Sequence, residues 1–317
     1  LLLWPPAYES KIVDLPAAQW LAPPPMPAPS APRTMKNGVP VGVTVQTQPA
    51  ALAAPTASGK TPSRDDWDAV LARVEEVRAQ SAGTRPKVTV ITAVHSKLEF
   101  LKEALGSIEA QTLREKHAIE HIIIDNGTTR ADMAEYLAYK NSAEFTNWRP
   151  RVIRFPKNIN NIATAWNVAL SVARGEYVCF LDADNRRLPK FLEKLVGALD
   201  TDPQTDVAHC KSHIIDAHGN RTSVRGKVKA GVTLAEEIKG NWIDSGEMVI
   251  RRSVLARVGV MDERMKACED WDLVVRLIKA GVRFAFVDEP LCEYRTHAAQ
   301  RMNTSTELGA GACADLI

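Results

Sequence analysis

The spacing of apolar residues changes twice along the chain. Up to residue 62 they follow no period. Trp4, Tyr8, Ile12, Val13, Leu15, Trp20 and Leu21 are scattered among prolines, and 13 of the 19 prolines precede Ser63. A stretch like Pro23-Pro24-Pro25-Met26-Pro27-Ala28-Pro29 cannot supply ladder hydrogen bonds and favours extended polyproline conformations. Residues 1–62 are therefore expected to form a Pro-rich extension. Its aromatic content also suits a docking arm, laid on the body of the protein, on a second copy or on a partner. From Ser63 the spacing becomes helical: Ser63-x-x-Asp66 reads as a capping box, followed by Trp67, Val70, Leu71, Val74 and Val77. Residues 63–85 are expected to be this helix and a linker.

From Lys87 short apolar runs alternate with helical patterns. Strands are predicted at Val88–Val94, His121–Asp125, Val152–Phe155 and Tyr177–Asp182. Between and after them, helices are predicted at 100–111, 131–140, 162–173 and 189–199, the last with Pro189 in its first turn. Beyond Val207 the rhythm turns β-rich, with a turn at Asp216-Ala217-His218-Gly219, then a helix at 270–280 and a strand at 282–287. Strands this apolar, alternating with helices, predict a mostly parallel sheet covered on both faces.

Composition narrows the class. Lys+Arg is 40 and Asp+Glu 38 in 317 residues, which disfavours a strongly basic nucleic-acid binder. No apolar run is long enough to cross a bilayer. Five cysteines, widely spaced and without C-x-x-C, argue against a disulfide scaffold or a structural zinc site, so a reducing, cytoplasmic setting is expected. Cys179 falls inside a strand pattern and reads as a small buried hydrophobe. No G-x-G-x-x-G follows the first strand, which disfavours a dinucleotide-binding domain. Gly59-Lys60-Thr61 imitates the end of a P-loop but lacks its first glycine and a preceding strand.

Several acids stand where chemistry is plausible. Asp182-Ala183-Asp184 ends the fourth strand, where open α/β sheets bind ligands, and hard oxygens in this spacing suit Mg²⁺ or Mn²⁺. The alternative is an acidic cap before the helix at Pro189. Asp125-Asn126-Gly127-Thr128-Thr129 ends the second strand and could accept from a base N–H, or could be an Asx-turn. Both should share one edge of the sheet with Thr92-Ala93-Val94-His95. Glu269-Asp270-Trp271-Asp272 opens a helix, as acids do for the dipole, and could supply a general base. His297 could complete a metal site, whereas His209 and His213 read as structural.

Taken together, residues 86–303 resemble the inverting family 2 glycosyltransferases of GT-A fold. The resemblance rests on Val88–His95, Phe100–Thr112, Ile124–Thr128, Asn158–Asn167, Ala173–Asp184, Ile250–Leu255, Gly259–Glu263 and Glu269–Leu277. It implies a Rossmann-like, mostly parallel central sheet with helices on both faces, residues 304–317 being a C-terminal tail. It further implies a nucleoside-diphosphate sugar donor, a UDP-sugar being favoured, an acceptor hydroxyl of unknown class, and Mn²⁺ or Mg²⁺ as cofactor. By the same resemblance Thr92, Ala93, Val94, Asp125, Asn161, Asn167, Asp182 and Ala183 would hold the donor. Asp184 and His297 would hold the metal, and Asp270, with Glu269 beside it, would be the catalytic base. Trp242, Asp244 and Ser245 would shape the acceptor pocket. Two departures stand out. Relatives often read Asp-Asp-Gly-Ser at Asp125-Asn126-Gly127-Thr128, and Ala-Arg-Asn at Ala165-Trp166-Asn167, so that Trp166 replaces a cation. The Gln-x-x-Arg-Trp motif of processive synthases is missing, which favours addition of a single sugar. The rival readings are a nucleotidyltransferase of similar fold and a non-catalytic binding module.

Overall fold

The structure is a computed structural model that describes residues 72–74, 76, 85–95, 98–128, 150–225, 231–265 and 267–297. The extension 1–62, the tail 304–317, the helix expected at 131–140 and Cys313 lie outside the described residues.

Strands β1 (Val88–Val94), β2 (Ile119–Asn126), β3 (Arg151–Phe155) and β4 (Tyr177–Phe180) form a parallel set in the order β3-β2-β1-β4. The sheet continues through β8 (Met248–Arg251), β6 (Val207–Ile215) and β9 (Phe284–Arg295) to the two-residue β5 (Arg186–Arg187). In this second half directions are mixed: β8 runs antiparallel to β4 and β6, and β9 runs parallel to β6. The exposed β7 (Arg221–Val224) pairs with β6 alone.

The strands are apolar on both faces because both faces are covered. On one side Ile91, Ile122, Ile124, Val178 and Phe180 pack with helix α2 (Ile162–Val172), α5 (Arg252–Val258) and α6 (Glu269–Lys279). Their neighbours Val90, Ile123, Tyr177 and Cys179 point the other way, against α1 (Leu98–Glu109) and α3 (Phe191–Thr201). This is the period-two alternation of a strand with two buried faces. The short α4 (Leu234–Glu237) lies among the loops that follow β7. Of the expected N-terminal helix, residues 72–74 and 76 are helical; Val74 is buried in the α2 core, and Arg73 Nε donates to the Val152 carbonyl at 3.0 Å.

Strand limits differ from the sequence expectation by one or two residues at β2, β3 and the start of β9, and two differences bear on the site. β4 stops at Phe180 rather than Asp182, because the chain turns where Asn185 N–H bonds the Asp182 carbonyl at 3.1 Å. The last strand, expected at 282–287, runs on to Arg295. The sequence Asp288-Glu289-Pro290 looks like a stop. In the sheet it is a bulge: Cys210 pairs with Val287 and Lys211 with Pro290, so pairing resumes beyond the acids. That extension carries Tyr294 and Arg295 into the site.

Candidate active site

Register alone assembles the first part of the site. Parallel pairing sets Val94 beside Asp125 and Asp125 beside Arg154, all at the C-terminal ends of their strands. Asp125 is buried. One carboxylate oxygen accepts the Thr128 N–H at 2.9 Å, and the other lies 3.3 Å from Arg154 Nε. The turn after it is pinned to the next loop: Asn126 Nδ2 donates to Asn158 Oδ1 at 2.9 Å and Ile159 N–H donates to Asn126 Oδ1 at 3.0 Å. Gly127 is required here. Its φ is 70°, and a Cβ would stand 2.2 Å from the Asn158 nitrogen.

The second part is the turn after β4. Asp182 accepts from Asn185 Nδ2 at 3.1 Å. Asp184 meets His297, with Nε2 to Oδ2 at 3.1 Å, although 113 residues separate them. Fully buried Arg295 makes this meeting possible. Its Nε donates to the Asp184 carbonyl at 2.8 Å, its N–H to Asn185 Oδ1 at 2.8 Å, and its Nη2 to Glu103 Oε2 at 2.6 Å. Phe100 packs under the guanidinium at 4.5 Å and against the His297 ring at 5.3 Å.

The third part comes from the mixed half of the sheet. Asp244 caps the 3-10 turn Ser245–Glu247, accepting from Gly246 N–H at 2.8 Å, and pairs with Arg225 Nη1 at 3.2 Å. Arg225 also faces buried Glu247 at 3.5 Å and donates to the Asn241 carbonyl at 2.9 Å. Asp270 stands in the first turn of α6, entered through Cys268 in the left-handed region with φ 60°. Asn241 Nδ2 donates to Asp270 Oδ2 at 3.3 Å. The second and third parts face one another. Burial, then the charges of Asp184, Asp244 and Asp270, push the Asp182 carboxyl well above the ordinary range. Burial, Asp244 and Glu269 raise Asp270 to about 7.

Not every expected residue faces this edge through its side chain. Thr92 is fully buried with its hydroxyl 2.8 Å from His121 Nε2, so only its backbone is available there. Ala93 and Val94 end the strand beside Asp125. Asn161 caps α2 and donates to the Glu263 carbonyl at 2.7 Å. Asn167 is wholly engaged with Met261 and Glu263, at 2.8 to 3.1 Å. Both amides join α2 to the loop at 261–263 instead of meeting Asp125 or Asp182. Ala183 lies half-buried between the two acids. Ser245 and Glu269 are buried, and Trp242 donates its Nε1 to the Glu236 carbonyl at 2.9 Å. Trp166 does not enter the site. Its indole stacks on Phe180 at 4.7 Å inside the core, with Nε1 unpartnered. The residues missed by sequence reasoning are Arg154, Arg225, Glu237, Glu247 and Arg295. Of these only Arg295 carried a signal, being two residues before His297.

Among the described residues, no three His, Cys, Asp or Glu side chains are grouped so as to hold a metal by themselves. Asp184 and His297 offer one carboxylate oxygen and one imidazole nitrogen on the same spot. That pair suits Mn²⁺ or Mg²⁺ when a phosphate-bearing ligand and water complete the shell.

This strand order, with acids gathered at the C-terminal ends of β2 and β4 and at the start of α6, is an α/β architecture of GT-A type. The model of the glycosyl transferase family 2 matches residues 89–259, more than half of the chain, and the chain belongs to that family: it is a glycosyltransferase. It is 28% identical over 264 residues to the O-antigen biosynthesis protein RfbC of Myxococcus xanthus, covering 81% of this chain and 20% of that protein. It is 29% identical over 219 residues to the uncharacterized glycosyltransferase MJ1057 of Methanocaldococcus jannaschii, covering 67% of this chain and 71% of the relative. The chain thus spans only a fifth of the length of RfbC. Among solved structures, S. aureus TarS 1–349 in complex with UDP-GlcNAc superposes with TM-score 0.55 at 20% identity, over 69% of this chain and 61% of that one. Mannosyltransferase PcManGT from Pyrobaculum calidifontis, in complex with GDP-Man and Mn²⁺, superposes with TM-score 0.51 at 18% identity, over 75% of this chain and 66% of that one. At these identities the two structures speak for the GT-A fold. No helix among the described residues is long and apolar enough to cross a membrane.

Proposed function

We propose that this chain moves one sugar from a nucleoside-diphosphate sugar, a UDP-sugar above others, to an acceptor hydroxyl by a metal-dependent single displacement that inverts the anomeric centre. The observation that carries this reading is the convergence of three carboxyls, Asp184, Asp244 and Asp270, on a fourth, Asp182, each close enough for its charge to act there. Asp125 would accept the imide N–H of the base, and Arg154 beside it would donate to a ring carbonyl. That pattern suits uracil or guanine and not cytosine or adenine. Asp182 and Ala183 would meet the ribose and the diphosphate. Asp184 and His297 would hold the cation, which when bound offsets the charge developing on the departing diphosphate. Asp270, raised to about 7, would take the proton from the acceptor hydroxyl as it attacks the face opposite the leaving group. One base suffices, because no covalent sugar intermediate has to be resolved. Trp242, Asp244 and Ser245 would border the acceptor. PcManGT, in complex with GDP-Man and Mn²⁺, supports metal use, and TarS, in complex with UDP-GlcNAc, supports a UDP-sugar.

The experiment is a panel of nucleotide sugars incubated with the protein and Mn²⁺ or Mg²⁺, reading slow donor hydrolysis. Nucleoside diphosphate released from one donor, lost on chelation and in Asp184→Ala, is the expected result. Released pyrophosphate would mean a nucleotidyltransferase instead. Silence, together with no nucleotide binding by calorimetry, would leave a binding module.

A further inference from the structure

Asp270 is held by groups that the transfer reading does not use. α4 ends at Glu237, whose side chain is fully buried. One of its oxygens accepts the Trp242 N–H at 3.3 Å, while its carbonyl accepts Trp271 Nε1 at 2.8 Å, from the residue next to Asp270. The other oxygen, Oε2, is buried with no partner. Four residues on, Asn241 donates its Nδ2 to Asp270, and its own Oδ1 is likewise buried and unpartnered. Two orphaned acceptors in one loop, beside one carboxylate, make a costly arrangement if every acid there is ionised. The backbone N–H groups of Trp242 and Ile243 favour the anion, and burial opposes it; a proton on Glu237 removes the cost of the unpaired oxygen Oε2.

We propose that Glu237 and Asn241 are a positioning pair for Asp270. Asn241 fixes the rotamer of the Asp270 carboxylate. Glu237 anchors the loop that carries Asn241 while holding a proton instead of a charge. The charged groups bearing on Glu237 are Arg225, at the end of β7, which favours ionisation, and Asp270, from α6, which opposes it. Asp270 in turn feels Asp244, from the loop, and its neighbour Glu269. Burial dominates at Glu237 and raises its carboxyl to about 7. A protonated Glu237 removes one of the negative charges that face Asp270. The proposal rests on Asp270 being the base, but its first test does not need turnover.

That test is a carboxyl-carbon NMR titration of the full chain labelled with ¹³C-glutamate, Glu237 being assigned by its loss in Glu237→Gln. The expected midpoint is about 7, moving down in Asp270→Asn. A midpoint in the ordinary glutamate range, or one indifferent to Asp270→Asn, overturns the proposal. No donor or metal enters this measurement, so failure to hydrolyse any nucleotide sugar would count against the transfer reading and leave this result to decide the pair. With UDP-GlcNAc, or the panel's active donor, as probe, Asn241→Ala should lower kcat about tenfold with donor KM unmoved, and shift the acid limb of the kcat profile upward. Glu237→Gln, which keeps an uncharged donor in place, should exceed Glu237→Ala about tenfold in kcat. Equal activity of those two variants, or an unmoved limb in Asn241→Ala, would reduce the pair to loop structure.

Discussion

The two halves of the sheet build their sites by different means. In the parallel half, β3-β2-β1-β4, the functional groups lie on consecutive strand ends, and register does the placing: Val94, Asp125 and Arg154 are lateral neighbours. Asp125 is met by a backbone N–H and a guanidinium. In the mixed half, Glu237, Asp244 and Glu247 come from the one segment 237–247 and meet Asp270 at the start of α6. Arg225 pairs with Asp244 and Glu247 and bears on Glu237, and Glu237, Glu247 and Asp270 are each raised to about 7. The lesson is one of electrostatic investment. The first half sets a buried acid against a cation. The second stores poorly solvated carboxyls, which are good proton acceptors and poor contributors to stability.

The sharpest way to break this contrast is Asp270→Asn. Loss of a general base lowers kcat about 10²- to 10⁴-fold. Calorimetry should show the nucleotide-sugar affinity intact, and an equal loss of donor binding would dissolve the distinction between the halves. Next in size is Trp166→Arg, which restores the residue usual in relatives. Because Trp166 is stacked on Phe180 in the core, a buried unpaired charge should cost roughly 3 kcal/mol or more, read as a fall in Tm with no gain in donor affinity. A gain in affinity would mean that this position belongs to the donor half.

The pH dependence of stability should separate the halves as well. His121 in β2 and His209 in β6 are buried, and burial lowers them to about 3 and about 4. The unfolded chain binds protons on both near 6.5 while the folded chain does not, so stability falls as pH drops from 6.5 toward 4. For His209 that is on the order of 3 kcal/mol. His209 lies between Phe284 and Phe286, at 6.1 and 5.1 Å, with neither ring nitrogen partnered, so His209→Phe should flatten the acid slope in urea melts. The raised carboxyls act in the opposite sense. Their protonated folded form stabilises fully below the unfolded value near 4, and that contribution is lost as pH rises through about 7. Asp270→Asn should therefore be more stable than the parent at pH 8. The smallest expected effect is Arg154→Ala. The partly exposed guanidinium at 3.3 Å from Asp125 should change donor Kd by about tenfold, near 1.4 kcal/mol, with kcat unchanged.

Much of the parallel half was legible because its information is local. Asp125-Asn126-Gly127-Thr128 and Asp182-Ala183-Asp184 each follow a contiguous apolar strand, and parallel α/β sheets expose those ends together. Glu269-Asp270 was legible as an acidic helix start. Where a side chain's direction matters, spacing says less. Thr92, Asn161 and Asn167 spend their polar groups on His121, Glu263 and Met261, and Trp166, which looked like a lost donor contact, is core. A period-two or period-3.6 pattern gives the face of an element but not the partner waiting there.

By itself, the sequence determined the alternation of strands and helices, the two buried faces of the sheet and the strand-end acids, since each follows from spacing within about ten residues. Only the tertiary structure decided that β9 continues past Pro290, that Arg295 brings His297 to Asp184, and that Glu237 and Asn241 bear on Asp270. Those meetings depend on chain segments up to 192 residues apart, as Arg295 and Glu103 are. Charge and burial at such a distance are properties of the packed fold and leave no period in the sequence.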